Sequence, residues 1–99
     1  MIKGFRDSWL QDFFIDDIYH KKVPASIRNQ LFRKIQILDD ATCDMDLRSL
    51  PSNHFEKLSG NLKGKCSIRV NKQWRLIFFW NDSGGEAVDV YLDNHDYRK

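Results

Sequence analysis

Between Lys57 and Arg75 the chain carries six cations, Lys57, Lys63, Lys65, Arg69, Lys72 and Arg75, and not one carboxylate. Residues 1–50, by contrast, hold eight basic and eight acidic side chains, so a formal charge of only +2 conceals a local basic field. Such a field on a near-neutral protein suits a phosphate-bearing ligand. A solvated hairpin with scattered lysines would have the same composition, so charge alone leaves both readings open.

Other chemistries find little support. Cys43 and Cys66 are far apart and match no CxxC or zinc spacing, which points to free thiols, with Cys66 structural among apolar neighbours. Asp39, Asp40, Asp44 and Asp46 lack the glycine and spaced glutamate of a calcium loop and read as solvated helix-end charges. There is no phosphate loop, no dinucleotide fingerprint and no Ser-His-Asp or Cys-His set, so neither a metal nor a cofactor is expected. His20, beside Lys21 and Lys22, reads as a helix end. No apolar run approaches the roughly 18 residues of a membrane span. The start, MIKGFRDSW, has no apolar signal region, so a cytoplasmic protein with no membrane partner is expected.

Elements must position the basic segment. Residues 1–99, 41% apolar and 30% charged, suit one globular domain. Ile2 to Phe5 reads as a short strand. Asp7 or Ser8 then caps a helix whose Trp9, Leu10, Phe13, Phe14 and Ile18 fit one face. Pro24 opens a second helix with Ile27, Leu31, Ile35 and Leu38 at steps of four, four and three, Phe32 and Ala41 widening the stripe. Residues 44–51 read as a connector or short helical turn ended by Pro51. His54 to Leu58 follows as a short strand, and Gly60 to Gly64 as a turn. Cys66–Val70, Trp74–Trp80 and Ala87–Leu92 read as strands, separated by turns at 71–73 and 81–85. The order predicts an α+β domain, with an N-terminal strand and two helices on one face of a mainly antiparallel sheet. The opposite face stays open and carries Arg69 and Arg75 on neighbouring strands.

The stretch Leu58-Ser-Gly-Asn-Leu-Lys-Gly-Lys-Cys-Ser-Ile-Arg-Val-Asn-Lys-Gln-Trp-Arg-Leu-Ile-Phe is similar to the signature of HigB-type killer proteins of the RelE/ParE toxin superfamily. There, a Gly-x-x-x-Gly turn precedes a Ser-Ile-Arg-Val-Asn strand and a Trp/Tyr-Arg-Ile/Leu-x-Phe strand follows. Leu38-Asp-Asp-Ala-Thr, Asp46-Leu-Arg-Ser-Leu-Pro-Ser-Asn and the closing Asp96-Tyr97 also resemble family features, so the likeness spans nearly the whole chain. It implies a RelE-like fold and ribosome-dependent cleavage of translated messenger RNA. It further implies a HigA-type helix-turn-helix antitoxin as partner, and binding of operator DNA through the toxin–antitoxin complex. A gyrase poison of the ParE kind on the same fold, or an RNA-binding module without catalysis, are the alternatives.

Metal-free RNA cleavage needs a base for the 2′-hydroxyl proton, cations for the charge on phosphorus, and an acid for the leaving 5′-oxygen. Arg75 matches the family's strand arginine and would clamp the phosphate, since a planar guanidinium binds two oxygens at once. A salt bridge to Asp93 or Asp96 is its structural alternative. Arg69 would be a second phosphate or ribosomal RNA contact, with a cross-strand ion pair as its structural alternative, and Lys57, Lys63 and Lys65 would be RNA anchors. Tyr97 would stack on a base or share in proton transfer, with Asp96 orienting an arginine or accepting a proton. Arg98-Lys99 stands where the family commonly ends in histidine. His95 and His54 are therefore the histidine candidates, although alignment on the glycines sets Glu56 and Ser59 where some relatives carry histidine and lysine.

Overall fold

A computed structural model describes residues 1–94 of the chain. Helix α1 spans Ser8–Asp16, α2 Arg28–Asp40 and α3 Asp44–Arg48; strands follow at Glu56–Lys57 (β1), Lys65–Arg69 (β2), Trp74–Asn81 (β3) and Glu86–Asn94 (β4). The strands pair in sequence order, each antiparallel to the next. The apolar stripes decide the packing. Leu10 and Phe13 from α1, Leu31, Ile35 and Leu38 from α2, and Leu47 from α3 are buried against Ile68, Leu76, Phe78, Ala87 and Val90 of the sheet. The helices thus pack on one sheet face only, as the pattern predicts.

The N-terminal segment departs from expectation. Residues 2–5 form two isolated parallel bridges, Ile2 to Ala87 and Phe5 to Val90, rather than a full strand. The Lys3 amide donates to the Ala87 carbonyl at 2.8 Å and the Arg6 amide to the Val90 carbonyl at 2.9 Å, so this segment lines the outer edge of β4. Helix α1 stops at Asp16 because Asp17 turns left-handed (φ 57°), and Ile18 lies beyond it, 53% exposed. Pro24 precedes a short 3-10 turn, Ala25–Ile27, which leads into α2. The expected strand His54–Leu58 shrinks to two residues, because Pro51–Asn53 winds into another 3-10 turn and His54 ends it left-handed (φ 43°).

Lys34 lies on the buried side of α2 rather than its solvent side. Its Nζ donates to Asn53 Oδ1 at 2.7 Å and Ser52 Oγ at 3.0 Å, while Asn53 Nδ2 donates to the Leu47 carbonyl at 3.0 Å. Burial pulls the Lys34 ammonium below the usual lysine value. This polar knot ties α2 and α3 to the turn that delivers His54 and β1. Asp39, Asp40, Asp44 and Asp46 also serve the fold: they bind the Ile2 amide, Gln36, Arg48 and Thr42, respectively. Among the described residues no helix is long and apolar enough to cross a membrane.

Candidate active site

The turn at 71–73 sets the register of the open face. Asn71 Oδ1 accepts from the Gln73 and Trp74 amides, both at 2.8 Å, so the side chain stands in for a backbone turn. That turn pairs Arg69 directly with Arg75. Residues opposite each other in a ladder share a face, so both guanidiniums lie on the open side. Like charges there repel, and neighbours of suitable chemistry hold them. Arg75 Nη1 donates to Glu56 Oε2 at 3.4 Å, and Arg69 Nη1 lies 3.5 Å from His54 Nε2. A guanidinium has no acceptor, so in that contact the imidazole nitrogen receives the hydrogen. Glu56 reaches this face because it sits opposite Ser67, and Asp93, the register partner of Arg75 on β4, shares it. Arg75 forms an ion pair with Glu56.

A second cluster occupies the same face toward the other end of β3. Between Ile77 and Phe79 the pairing with β4 shifts, and Asp89 takes a left-handed conformation (φ 57°), which marks a bulge on β4. The bulge aims the Asp89 carboxylate at Arg6, whose Nε and Nη2 bind its two oxygens at 3.1 and 2.7 Å. Lys65 Nζ approaches the same carboxylate at 3.6 Å. The Arg6 hydrogen bond holds the Asp89 carboxyl below the usual carboxylate range and raises the guanidinium's own value. The Arg6 guanidinium also stacks on the Tyr91 ring at 3.7 Å, and Lys65 Nζ lies 5.2 Å from the Phe79 ring and 5.1 Å from that of Tyr91.

Of the residues singled out by sequence, the fold therefore brings Arg69, Arg75 and His54 together and adds Lys65 to the same face. Lys57 does not join them: it lies opposite Cys66, on the helix side of the edge strand. Lys63 is exposed at the end of the turn Gly60–Leu62. His95, Asp96 and Tyr97 lie outside the described residues. Arg6, Asp89 and Tyr91 were not singled out, and no local signal marks the bulge that assembles them. Cys43 and Cys66 are free, and burial pushes the Cys66 thiol up.

Comparison with known proteins bears on this geometry. Residues 3–95 match the family model described as the RelE-like toxin of the type II toxin–antitoxin system HigB. The chain is also 58% identical over 97 residues to Toxin HigB-1 of Vibrio cholerae, covering 98% of this chain and all of that protein. The chain belongs to the HigB family of RelE-like toxins. A Haemophilus influenzae protein of uncharacterised role is 39% identical over 93 residues, 94% of this chain and 90% of that one. Among solved structures, the RelBE2 toxin–antitoxin complex of Mycobacterium tuberculosis shares the fold at a TM-score of 0.54 and 19% identity, over 96% of each chain. The YoeB–YefM complex of Staphylococcus aureus does so at 0.54 and 18%, over 98% of this chain and 97% of that one. The open face of this HigB-family toxin thus presents two guanidiniums flanked by a carboxylate and an imidazole, a set able to bind a phosphate and move protons.

Proposed function

We propose that this toxin is a ribosome-dependent endoribonuclease that cuts translated messenger RNA without a metal and is neutralised by a HigA-type antitoxin. The observation that carries the reading is the direct Arg69–Arg75 pairing on the sheet face away from the helices, with Glu56 and His54 within 3.5 Å. A scissile phosphate would replace Glu56 as the partner of Arg75, which then stabilises the extra negative charge as the 2′-oxygen attacks phosphorus. Glu56 accepts the 2′-hydroxyl proton. The bond from phosphorus to the 5′-oxygen breaks, and that oxygen takes a proton from His54, which for this step leaves Arg69 and enters as imidazolium; the products are a 2′,3′-cyclic phosphate and a 5′-hydroxyl. Few titratable groups suffice where the ribosome holds the strand in line. In this reading Asp96, Tyr97 and His95 assist from the C-terminus, and Lys63 anchors ribosomal RNA. The antitoxin complex also binds the operator DNA of the shared promoter.

Primer extension on a reporter message, with wild type and Arg75→Ala induced side by side, tests the reading. New cuts inside translated codons are expected with wild type alone. Growth arrest with no cuts would transfer the assignment to gyrase. Assignment of the proton carriers is tested separately: Glu56→Gln and His54→Gln should each slow cleavage while the folded toxin still binds RNA.

A further inference from the structure

The aromatic end of the open face has no role in the cleavage chemistry just described. Phe79 is 39% exposed there and Val88, opposite it, 38%, while Ile77 in the middle of the same face is 3% exposed. A strand facing water ordinarily alternates to polar residues at such positions. The ring is nevertheless held in place. Gly64 (φ 94°) lies against it, so that a Cβ there would come 3.3 Å from Phe79 Cε1, and Lys65 Nζ lies over it at 5.2 Å. The same ammonium is shared with Tyr91, which Arg6 stacks upon.

We propose that Phe79, backed by Lys65 and Tyr91, is a base-stacking subsite for single-stranded RNA. The inference rests on the ribonuclease reading and extends it from the scissile phosphate to a nucleotide a short way along the strand. Three observations favour RNA as the occupant. The cluster carries two cations against one carboxylate, which suits a polyanion. It is continuous with Arg69 and Arg75 on one face. And Phe79 stands four residues from Arg75 along β3, about 13 Å at strand rise, a span of a few nucleotides. A sheet that presents aromatic rings beside cations is a recurrent way to hold unstacked bases. Selection at this subsite acts on a base a few nucleotides from the cut, through stacking strength rather than hydrogen bonding.

The test uses an RNA oligonucleotide blocked against cleavage by 2′-O-methyl groups, with 2-aminopurine placed at successive positions. Wild type should quench the fluorophore at one position; Phe79→Trp should keep the quench and Phe79→Leu abolish it. Affinity for the oligonucleotide should fall about tenfold in Phe79→Leu. On translated messages, cuts by Phe79→Leu should spread over flanking bases that wild type disfavours. No position-specific quench with wild type overturns the subsite, whatever the variants do. So does an unchanged quench and cut pattern in a folded Phe79→Leu, or loss of antitoxin capture by that variant with RNA stacking intact, which would make the patch a protein interface. Failure of the ribonuclease reading looks different: wild type then cuts no message, while stacking of the blocked RNA still answers for Phe79.

Discussion

The two ends of the open face are built from similar charges but supported differently. At the Arg69–Arg75 end, the groups that flank the guanidiniums hang from a turn fixed by a buried knot, Lys34 to Asn53 to Leu47. At the Phe79 end, the support is a part-exposed carboxylate on a strand bulge, with Arg6 and Lys65 gathered around it. Buried polar contacts are costly to break on one side only, because the remaining partner is left unsatisfied; exposed pairs are screened and weak. The first end is therefore the more firmly held, which suits the proton transfer proposed there. The second is the more adaptable, which suits the proposed stacking of a base.

The sharpest way to break this contrast is Arg75→Ala. Removing the phosphate clamp should lower message cleavage at least 100-fold, with thermal melting nearly unchanged, since Arg75 lies outside the apolar core. A large fall in melting temperature would instead make Arg75 structural. Next comes Lys34→Met, which leaves Asn53 Oδ1 buried without its donor. It should cost about 1–3 kcal/mol in denaturant unfolding and reduce cleavage by displacing His54, although Lys34 lies outside the open face. Unchanged stability would mean the knot supports nothing.

Lys34 also sets a pH dependence. Its folded value is lowered, so between that value and the ordinary lysine value the unfolded chain binds more protons, and stability rises with pH there. Lys34→Met should flatten that rise in unfolding curves taken toward pH 10. The smallest effect is expected from Asp89→Asn, at most about 1 kcal/mol for an exposed pair. Because the folded carboxyl lies below its ordinary value, the difference from wild type should be complete above about pH 4 and vanish as pH falls through the lowered value. A difference that persists in strong acid would assign the loss to the bulge backbone instead.

Much of this organisation was legible in the sequence. The four-four-three spacing of Ile27, Leu31, Ile35 and Leu38 predicts α2 because a helix must turn one stripe to the core, and all four are buried. The alternation in Cys66–Val70 and the turn at Asn71 suffice to bring Arg69 beside Arg75. What escaped depends on contacts between distant segments. Lys34 sits at a polar-looking position, and its burial depends on Asn53, nineteen residues away. The Asp89 bulge has no glycine to announce it and depends on Arg6, 83 residues away. Glu56 was noticed only by alignment, because a two-residue strand has no period to read. His95, Asp96 and Tyr97 were legible as family features alone and lie outside the described residues.

The bridges of residues 2–5 to β4 have a consequence for how the toxin is made. Residues 2–5 leave the ribosome well before the strand they bridge to, and Arg6 precedes its partner Asp89 by 83 residues. Contacts so far apart in sequence form late, because the whole intervening chain must be closed into a loop. The nascent chain therefore lacks its completed sheet through most of its own synthesis. Topology alone thus delays the finished fold until β4 has emerged.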